Sequence, residues 1–554
     1  MRTWNRMIGV IFRKPQESMV EEFFELFKTP WEPVREGGVY DVVLTTNPGV
    51  SAPPARLLLA FCSGPMSLDD QNGIRIHSLV NGGDVEWKNS RIPVYGRLAT
   101  FVENREPVVC RKGIEATESE PDFAGRSIFR IGYDLFDEIE HLLLRGQPVE
   151  NARIPTIEMH ISMLRQWILG TGIPLVEIPP SPLGYDFITC LTHDIDFMGI
   201  RDHVFDHSMF GFVYRSLIPK YLKGLDKKTA AARYRKNLRA LLSLPLVQTG
   251  ILPDFWYPLE KYPEVEKERK STFFFIPFKN RPGGTPAGNH EKYRAARYDV
   301  GKHTNPIRGL KRQGREIGLH GIDAWKDAQK GKEEIGVIRR ITGEDRIGVR
   351  MHWLFFSDDT PRHLEEAGAR YDSTLGYNEA VGYRSGTTQV FRLPGTKNLY
   401  ELPLHAQDTA MLYPGRMGMS ESVAIDLCGK LIGDFRAHGG AFTINWHDRS
   451  LAPERNWDAA YLELLRMLTR ERTWFATGGE AVHWFEKRRA CRFDASAPVD
   501  AVPNVTLGGP GTEDGPPVTL RVHRPISSDG ETARFEDYCI DHNRNFVPSI
   551  PADL

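Results

Sequence analysis

Apolar runs of strand length alternate with helical stretches between residues 185 and 490, and Asp or His stands at or near the end of most runs. The runs are FITCLTHD, STFFFIP, EIGLH, IGVRMHW, ELPL and GAFTINWH. This alternation predicts βα units around a parallel sheet or barrel. In such folds the carboxyl ends of the strands, with the loops that follow them, build the active site. The polar residues at the ends of these runs are therefore the candidate functional residues.

The composition is that of a globular protein with a large core. Of the 554 residues, 41% are hydrophobic and 26% are charged, which excludes wholesale disorder, collagen and coiled coil. The chain carries 71 Lys and Arg against 72 Asp and Glu, a net charge of -1. Because this balance creates no overall positive field, we expect no nucleic-acid partner.

Cysteine usage and the N-terminus indicate a cytoplasmic location. The six cysteines are far apart and form no CxxC pair, which is neither a disulfide framework nor a structural zinc site. The N-terminal MRTWNRMIGVIFRKP shows no cleavage site of a signal peptide. No run of about 18 apolar residues is present, so we expect no segment that spans a membrane.

Changes in residue pattern and composition along the chain predict three segments. Residues 1–180 mix short strands and amphipathic helices such as YDLFDEIEHLLLRG, which predicts an α/β accessory domain for substrate recognition or dimerisation. After the linker IPPSPLG, residues 181–490 form the expected catalytic domain. Residues 491–554, rich in Gly, Pro and Asp, are expected to form a small β segment or tail. A homo-oligomer is a further expectation.

Polar clusters at the strand ends are the strongest signal for chemistry. Asp194 and Asp196 in THDID are two residues apart and point to the same side of an extended strand. Two carboxylates on one face repel each other unless a cation or a proton lies between them. Taken alone, such a pair is more often a cap or a turn, and a lone His is more often structural. The later clusters are His320 in EIGLHG, Arg350 and His352 in RMHW, Arg384 in GYRSG, and His447 in NWHD.

Together and in this order, these clusters resemble the polysaccharide deacetylase superfamily, the NodB-type metal-dependent N-deacetylases of carbohydrate esterase family 4. The resemblance covers residues 185–490, and the segments YDLFDEIEHLLLRG and YDSTLGYNEAVGYRSGT are similar to those of members with an N-terminal extension. It implies a distorted or incomplete (β/α) barrel that carries a divalent metal ion.

The resemblance also implies a role for each matching residue. Asp194 corresponds to the general base and Asp196 to a metal ligand. His320 corresponds to the first histidine of the metal pair, but Ala324 stands where the second is expected. We expect His352, on a neighbouring strand, to be the third ligand, and the alternatives are Asp323 and His193.

The remaining family motifs match positions later in the chain. Arg384 is expected to orient the base and His447 to be the general acid. Asp408, in LPLHAQD, is expected to hold His447, with His405 as the weaker choice. The expected substrate-binding residues are aromatic: Trp353, Tyr383 and Trp446.

The function implied is hydrolysis of the acetamido group of a sugar or saccharide precursor to an amine and acetate. The expected ion is Zn²⁺, with Ni²⁺ or Co²⁺ as alternatives. Two other functions remain open: hydrolysis of another C–N bond, such as that of a cyclic amide or imide, and catalytically inactive carbohydrate binding. Lack of aromatic residues in the cleft would favour the former, and the missing second histidine motivates the latter.

A basic stretch and two histidine-containing groups have less specific interpretations. Residues 215–239 carry nine Lys and Arg against one acid, Asp226, which fits peripheral contact with an anionic membrane or a solvated helix pair. His203 and His207 are four residues apart, as metal pairs on helices often are, but the site above is better placed. Asp299 and His303 are candidates for substrate contact in a loop.

Overall fold

The computed structural model describes residues 7–49, 52–102, 109–114, 126–218, 226–288, 291–493, 505–508, 514–525, 535–540 and 547–548. The chain divides into two compact units. Unit 1 comprises Met1–Leu183, Ser385–Thr387 and His483–Leu554, and unit 2 comprises Gly184–Arg384 and Thr388–Val482. The C-terminal residues are thus grouped with the N-terminal ones and not as the separate segment that the sequence predicts.

The first part of the chain alternates strands and helices. They are β1 (Ile8–Ile11), α1 (Glu17–Phe27), β2 (Trp31–Pro33), β3 (Val42–Thr45), β4 (Leu57–Phe61), α2 (Ser67–Gln71), β5 (Ile76–Trp87), β6 (Ser90–Phe101), β7 (Val109–Ile114), β8 (Arg126–Ile131), α3 (Leu135–Leu144), α4 (Thr156–Gly170) and β9 (Leu175–Glu177).

The central part contains the elements of unit 2. They are β10 (Phe187–Ile195), α5 (His207–Leu217), α6 (Lys227–Gln248), α7 (Pro258–Glu266), β11 (Ser271–Phe275), α8 (Thr304–Arg312), β12 (Glu316–Gly321), α9 (Ala328–Thr342), β13 (Ile347–Met351), α10 (Thr360–Ala367), β14 (Ala369–Asp372), β15 (Phe391–Arg392), β16 (Tyr400–Glu401), β17 (Ala406–Gln407), α11 (Asp408–Leu412), α12 (Glu421–His438), β18 (Ala441–Asn445), α13 (Asp458–Thr469) and β19 (Thr473–Phe475).

The last part returns to strands after one helix. Its elements are α14 (Gly478–Ala490), β20 (Cys491–Phe493), β21 (Val505–Leu507), β22 (Val518–His523), β23 (Phe535–Ile540) and β24 (Val547–Pro548).

Among its described residues, unit 1 contains a mixed six-stranded sheet, a four-stranded antiparallel sheet and two strand pairs, β5-β6 and β20-β21. The main sheet has the order β2-β1-β3-β4-β8-β7, parallel except for β7. In the second sheet β22 pairs with β9 from the N-terminal part, in the order β24-β23-β22-β9. Val176, Ile178, Val518 and Leu520 form a buried cluster under this sheet. Burial of these apolar residues accounts for the grouping of the C-terminal strands with unit 1.

Unit 2 is built on one curled sheet of the half-barrel type. Its order is β15-β16-β14-β13-β12-β11-β10-β18-β17, with β19 paired to β10, and its pairs are parallel except for β15 with β16. All nine residues of β10 are buried, as expected for an apolar strand at the centre of a parallel sheet. The predicted fold class, an incomplete β/α barrel with an N-terminal α/β domain, is confirmed.

The parallel pairing explains why the polar clusters can meet. The carboxyl ends of β10, β12, β13 and β18 lie at one edge of the sheet, and each of these strands is followed by a loop that carries polar residues. In parallel α/β folds this edge builds the functional site. No helix in the part of the chain that the structure describes is long and apolar enough to cross a membrane.

Candidate active site

The carboxyl end of β10 places Asp194 and Asp196 at the edge of the sheet. Asp194 Oδ1 accepts a hydrogen bond from Arg350 Nη1 at 3.0 Å, and its Oδ2 accepts one from Asn445 Nδ2 at 2.7 Å. Asn445 ends the parallel neighbour β18, and its Oδ1 accepts a hydrogen bond from Asp194 N at 3.2 Å. The Asp194 carboxylate is therefore oriented by side chains from two other strands.

The surroundings of Asp194 favour its ionised form. Burial by itself would raise the pKa of Asp194, but His320, Arg350 and His447 outweigh burial and hold that pKa below the ordinary value. The side chain is almost fully buried, and the residue is 3% exposed. An ionised carboxylate in this position is the form that can accept a proton from water.

Arg350 is fully buried, and its guanidinium is fixed by several acceptors. Its Nε donates to Ser373 O at 3.0 Å, its Nη2 to Ser373 Oγ at 2.8 Å, and its Nη1 also to Thr192 Oγ1 at 2.7 Å. The guanidinium carbon lies 4.6 Å from the centre of the Phe274 ring. These contacts hold one cation against Asp194 in a fixed orientation.

The arginine that contacts Asp194 is therefore Arg350, and not Arg384 as the resemblance led us to expect. Arg384 lies in the loop between β14 and β15, where its Nη1 donates to Gly376 O at 3.0 Å. Arg350 lies on β13 and shares its register with His352, two residues later. That two-residue spacing at a strand end was the sequence signal that could have identified Arg350.

Asp196, His320 and His352 come together as candidate metal ligands. His320 Nε2 lies 3.4 Å from Asp196 Oδ1, and His352 Nε2 lies 3.3 Å from the same oxygen. Tetrahedral zinc bonds of about 2.0–2.1 Å place neighbouring ligand atoms about 3.3–3.4 Å apart. Asp196 Oδ1 is buried and has no hydrogen-bond partner among the described residues. The residues present therefore fit one small divalent ion.

The protonation of the two histidines suits metal binding. His320 Nδ1 lies 3.0 Å from the carbonyl oxygen of Arg350, which can only accept, so Nδ1 carries a hydrogen and Nε2 is the nitrogen that faces Asp196. Burial lowers the pKa of His352 to about 3, so this imidazole is neutral at pH 7. Burial by itself would raise the pKa of Asp196, but His352 and His320 hold it below the ordinary value.

His352 stands close to His320 because their strands are neighbours. β12, which carries His320, pairs in parallel with β13, and His352 follows β13 in a single 3₁₀ turn. Arg294 Nη2 donates to the carbonyl oxygen of His352 at 3.0 Å, which holds this turn in place. Ala324 is fully buried, and the third candidate ligand comes from the turn after β13 instead of from that position.

His447 and Asp408 form the second pair of titratable groups. His447 Nδ1 lies 2.6 Å from Asp408 Oδ1, and His447 N donates to Asp408 Oδ2 at 2.8 Å. Burial by itself would lower the pKa of His447, but Asp408 outweighs burial and raises that pKa to about 9. His447 is therefore protonated at neutral pH, and its Nε2 is the nitrogen that Asp408 leaves free. This is the state of a general acid.

A buried hydrogen-bond network holds the backbone around His447. His193 Nδ1 donates to Trp446 O at 2.8 Å, and its Nε2 lies 2.7 Å from Glu266 Oε1. Tyr262 OH donates to His447 O at 2.6 Å. Both nitrogens of His193 are therefore engaged away from the metal ligands. His193, offered above as an alternative ligand, supports the segment that carries His447.

One cavity joins these groups. Its lining includes Asp194, Asp196, His320, His352 and His447, together with Trp353, and among the predicted substrate residues it includes neither Tyr383 nor Trp446. Tyr383 is fully buried and donates to Asp434 Oδ2 at 2.9 Å. Trp446 is 1% exposed and stacks on Tyr461. Of the three aromatic residues predicted to bind substrate, the structure places only Trp353 in the cavity.

Trp353 is presented to the cavity by an unusual backbone conformation. Trp353 and Leu354 have φ angles of 66° and 55°, a region that costs a non-glycine residue about 1–3 kcal/mol. Asn378 Nδ2 donates to Trp353 O at 3.0 Å, and the Trp353 residue is 40% exposed. Backbone strain of this kind is concentrated at functional sites, where surrounding contacts maintain it.

The other sequence candidates lie outside this arrangement. Asp323 pairs with Lys326 and accepts from Gly284 N, and His405 is buried against Phe435. His203 is buried beside Asp206, whereas His207 is exposed against Tyr293, so they do not form a metal pair. Asp299 caps a short 3₁₀ helix, and His303 lies against Tyr257.

Comparison with known proteins returned matches among solved structures. No family model and no curated protein matches the chain. A probable polysaccharide deacetylase from Pseudomonas aeruginosa PAO1 is 16% identical, with 58% of this chain and 97% of that chain covered and a TM-score of 0.35. An allantoinase is 16% identical, with 56% and 93% covered and a TM-score of 0.33.

A further match is a family 4 carbohydrate esterase from Streptomyces lividans in complex with acetate. It is 9% identical, with 54% of this chain and 94% of that chain covered and a TM-score of 0.23. Two of these three structures are described as a polysaccharide deacetylase and a family 4 carbohydrate esterase, the classes that the sequence motifs resemble. These similarities extend over 54% to 58% of this chain.

Proposed function

We propose that the chain is a metal-dependent N-deacetylase that hydrolyses the acetamido group of a sugar or saccharide precursor. The observation that carries this proposal is the group formed by Asp196, His320 and His352 in one cavity with an ionised Asp194 and a protonated His447. These are the residue types that amide hydrolysis by a metal-activated water requires.

Each residue has a defined part in the proposed reaction. Asp196, His320 and His352 would hold a divalent ion such as Zn²⁺, Ni²⁺ or Co²⁺, and an ion bound there would supply polarisation of an amide carbonyl and a lowered pKa for water. Asp194 accepts a proton from the attacking water while Arg350 maintains its orientation. His447 donates a proton to the leaving nitrogen as the C–N bond breaks. Acetamide and water thus become amine and acetate.

A saccharide is favoured over a cyclic amide by the aromatic residue at the cavity. Trp353 lines the cavity with a partly exposed ring, and aromatic faces pack on the apolar faces of sugars. An aromatic residue in the cleft distinguishes the two proposed substrates, because a cleft without one would favour small cyclic amides. The three ligand atoms likewise favour a hydrolase over a metal-free binding module.

The metal content of the purified protein is the first test. We expect close to one equivalent of zinc, nickel or cobalt by elemental analysis in the wild type, and loss of the metal in Asp196→Ala, His320→Ala and His352→Ala. His207→Ala is the matched control, since His207 is an exposed histidine that is not one of the candidate ligands. Protein that stays metal-free after reloading would contradict the proposal.

Acetate release is the second test. We expect the metal-loaded protein to release acetate from one or more acetamido sugars in a panel, and to lose this activity in Asp194→Asn and His447→Gln. Cyclic amides and imides are assayed beside the sugars. Hydrolysis of the cyclic substrates alone would establish the alternative C–N hydrolase, and metal binding without any hydrolysis would leave a binding role.

A second surface supports peripheral contact with an anionic membrane. The outer sides of α5 and α6 carry exposed apolar residues, and neither helix contains Asp or Glu. We call this surface the α5–α6 face; its apolar members are Phe210, Tyr214, Leu217, Tyr234, Leu238, Leu242 and Leu246, and its exposed basic members include Arg235 and Arg239. Of the predicted basic stretch 215–239, residues 219–225 lie outside the described residues.

The inner sides of the same helices explain why these residues face outward. Phe212, Ala240 and Val247 pack in a buried cluster with Trp256, so each helix already has its core-facing side. An exposed apolar surface mixed with arginines is typical of interfacial helices on anionic lipid. Cys62, Cys190 and Cys491 form no disulfide, which accords with a reducing compartment. We therefore propose the cytoplasmic side of a membrane.

Vesicle sedimentation tests the α5–α6 face. We expect binding to phosphatidylcholine vesicles that contain phosphatidylglycerol and little binding to phosphatidylcholine alone. Leu238→Glu/Leu242→Glu and Arg235→Glu/Arg239→Glu are each expected to reduce binding by about tenfold or more, whereas the control Leu462→Glu, on α13, leaves it unchanged. Equal binding to both kinds of vesicle would exclude the role of the arginines. Dimers that these variants disperse would identify a contact between copies instead.

A further inference from the structure

Three arginines line the cavity without a carboxylate partner. They are Arg416, Arg449 and Arg455. Within the described residues, no Asp or Glu oxygen lies within 4.0 Å of any of their guanidinium nitrogens. Arg350, by contrast, lies 3.0 Å from Asp194. The cavity therefore concentrates positive charge that the protein does not neutralise at close range.

Aromatic rings hold two of these cations in place. The guanidinium carbon of Arg455 lies 5.3 Å from the Tyr413 ring centre and 5.0 Å from that of Trp457. The guanidinium carbon of Arg449 lies 3.7 Å from the Phe197 ring centre. Stacking of this kind orients a guanidinium while leaving its N–H donors for another partner.

The hydrogen-bonding capacity of these arginines is only partly used. Arg416 Nη1 donates to Thr409 Oγ1 at 3.0 Å, and Arg455 Nη1 is buried with no hydrogen-bond partner among the described residues. A buried donor without a partner destabilises the folded state, because it has lost its hydrogen bond to water. A ligand that supplies acceptor oxygens would satisfy these donors and offset the repulsion between Arg449 and Arg455.

The acidic residues of the cavity are engaged elsewhere. Asp194 is held by Arg350 and Asn445, and Asp196 lies with the two candidate histidine ligands. Asp448 accepts hydrogen bonds from the backbone N–H groups of Phe197 and Arg449. The arginines and the proposed reaction centre therefore occupy one cavity but use different partners.

We propose that Arg416, Arg449 and Arg455 form a subsite for an anionic group that the substrate carries beside its acetamido sugar. This inference rests on the proposed function and specifies its substrate class. Phosphoryl and carboxylate groups share the planar or forked acceptor geometry that arginines bind in pairs. A 2-acetamido sugar 1-phosphate, in which the two groups are on neighbouring carbons, and an acetamido uronic acid are the two sources of such an anion.

Binding of pyrophosphate tests the subsite independently of catalysis. Titration calorimetry is carried out on full-length Asp196→Ala protein, so that an ion bound by that aspartate does not contribute to the heat. We expect binding that weakens with added salt and that Arg416→Gln/Arg455→Gln reduces by about tenfold to a hundredfold. Arg340→Gln, which removes one exposed arginine from α9, is the matched control and retains the affinity. Affinity that is the same in all three proteins would overturn the proposal.

Kinetics with paired substrates tests its functional consequence. The wild-type protein is expected to show a KM about tenfold or more lower for an acetamido sugar 1-phosphate or an acetamido uronic acid than for the neutral sugar, and the preferred anion identifies the source. In Arg416→Gln/Arg455→Gln the KM for the anionic substrate rises, while that for the neutral sugar stays unchanged.

Failure of the anion subsite and failure of the deacetylase proposal give different experimental results. Equal KM values for neutral and anionic sugars, with acetate released from both, would overturn the subsite and leave the deacetylase proposal intact. Pyrophosphate binding that depends on the arginines, without acetate release from any sugar, would support an anion site and contradict the proposed reaction.

Discussion

At the scale of single residues, the chemistry of the site is set by the neighbours of each titratable group. His320 and Arg350 keep Asp194 ionised, Asp408 keeps His447 protonated, and burial keeps His352 neutral. The base, the acid and the metal ligand are thus ordinary side chains whose pKa values are shifted in different directions by their surroundings. The assignment of roles follows from these contacts and can be tested one substitution at a time.

Replacing Asp408 by Asn is expected to move the alkaline limb of kcat/KM to lower pH. Burial by itself would lower the pKa of His447, and Asp408 is the main group that raises it to about 9. With the carboxylate in place, the acid form of His447 is present up to about pH 9. Without its charge the pKa falls, so activity is lost at lower pH. Profiles of kcat/KM against pH for the two proteins measure the shift.

Ser450→Ala is the control for this substitution, because Ser450 Oγ donates to Asp408 Oδ2 and its removal leaves the charge. An alkaline limb that remains near pH 9 in Asp408→Asn would contradict the role of Asp408. The raised pKa of His447 also contributes to stability. That contribution is fully present below the unfolded value of about 6.5 and is lost as the pH rises through about 9.

Substitution of Arg350 and of Arg384 tests which arginine orients Asp194: Arg350, as the structure indicates, or Arg384, as the family resemblance implies. In Arg350→Met the pKa of Asp194 is expected to rise, so the acid limb of kcat/KM moves to higher pH. Because a buried charge loses its partner, the free energy of unfolding is expected to fall by about 3–5 kcal/mol. Arg384→Met is expected to leave the acid limb in place. The reverse result in the two variants would restore Arg384 as the orienting residue.

At the scale of elements, parallel pairing and the alternation of side chains decide which residues reach the site. Asn445 and His447 both contribute to the site, while Trp446 between them packs against Tyr461. Consecutive residues of an extended segment point to opposite sides, which is why the prediction for Trp446 failed to place it in the cavity. Trp353 differs because its positive φ ends the extended conformation after β13.

Gly348→Ala is expected to disturb the element that carries Arg350. An added Cβ at this position would lie 2.2 Å from the Tyr371 ring, and Tyr371 is fully buried. The expected loss is about 1–3 kcal/mol in the free energy of unfolding by denaturant, together with weaker metal retention. In Gly336→Ala, on α9, the nearest atom is the flexible end of Arg340 at 3.6 Å. This control is expected to gain up to about 1 kcal/mol, and equal losses in both variants would contradict the argument.

At the scale of the whole molecule, the proposed chemistry is confined to unit 2. All residues that line the cavity belong to Gly184–Arg384 or Thr388–Val482. Unit 1 has its own mixed sheet and a further sheet that includes C-terminal strands. Ligand binding is therefore expected to stabilise unit 2 directly.

Removal of the metal by a chelator is expected to lower the unfolding temperature. A ligand at a hundred times its dissociation constant stabilises the folded state by about 2.7 kcal/mol, so reloading the ion should restore the transition. In Asp196→Ala, chelation should change nothing because the ligand set is incomplete. Scanning calorimetry with and without chelator measures both. A wild-type transition that does not respond to chelation or to added zinc would contradict the metal site.

The sequence by itself determined the alternation of strands and helices, the half-barrel of unit 2, and the strand ends at which Asp194, Asp196, His320, His352 and His447 stand. These follow from local patterns, since apolar runs of fixed length and the residues after them are read along the chain. Tertiary structure alone decided that Arg350 contacts Asp194, that Trp446 and Tyr383 are buried, and that β22 pairs with β9. Such contacts join residues far apart in the chain, and their choice depends on register, strand order and packing, which no local pattern specifies.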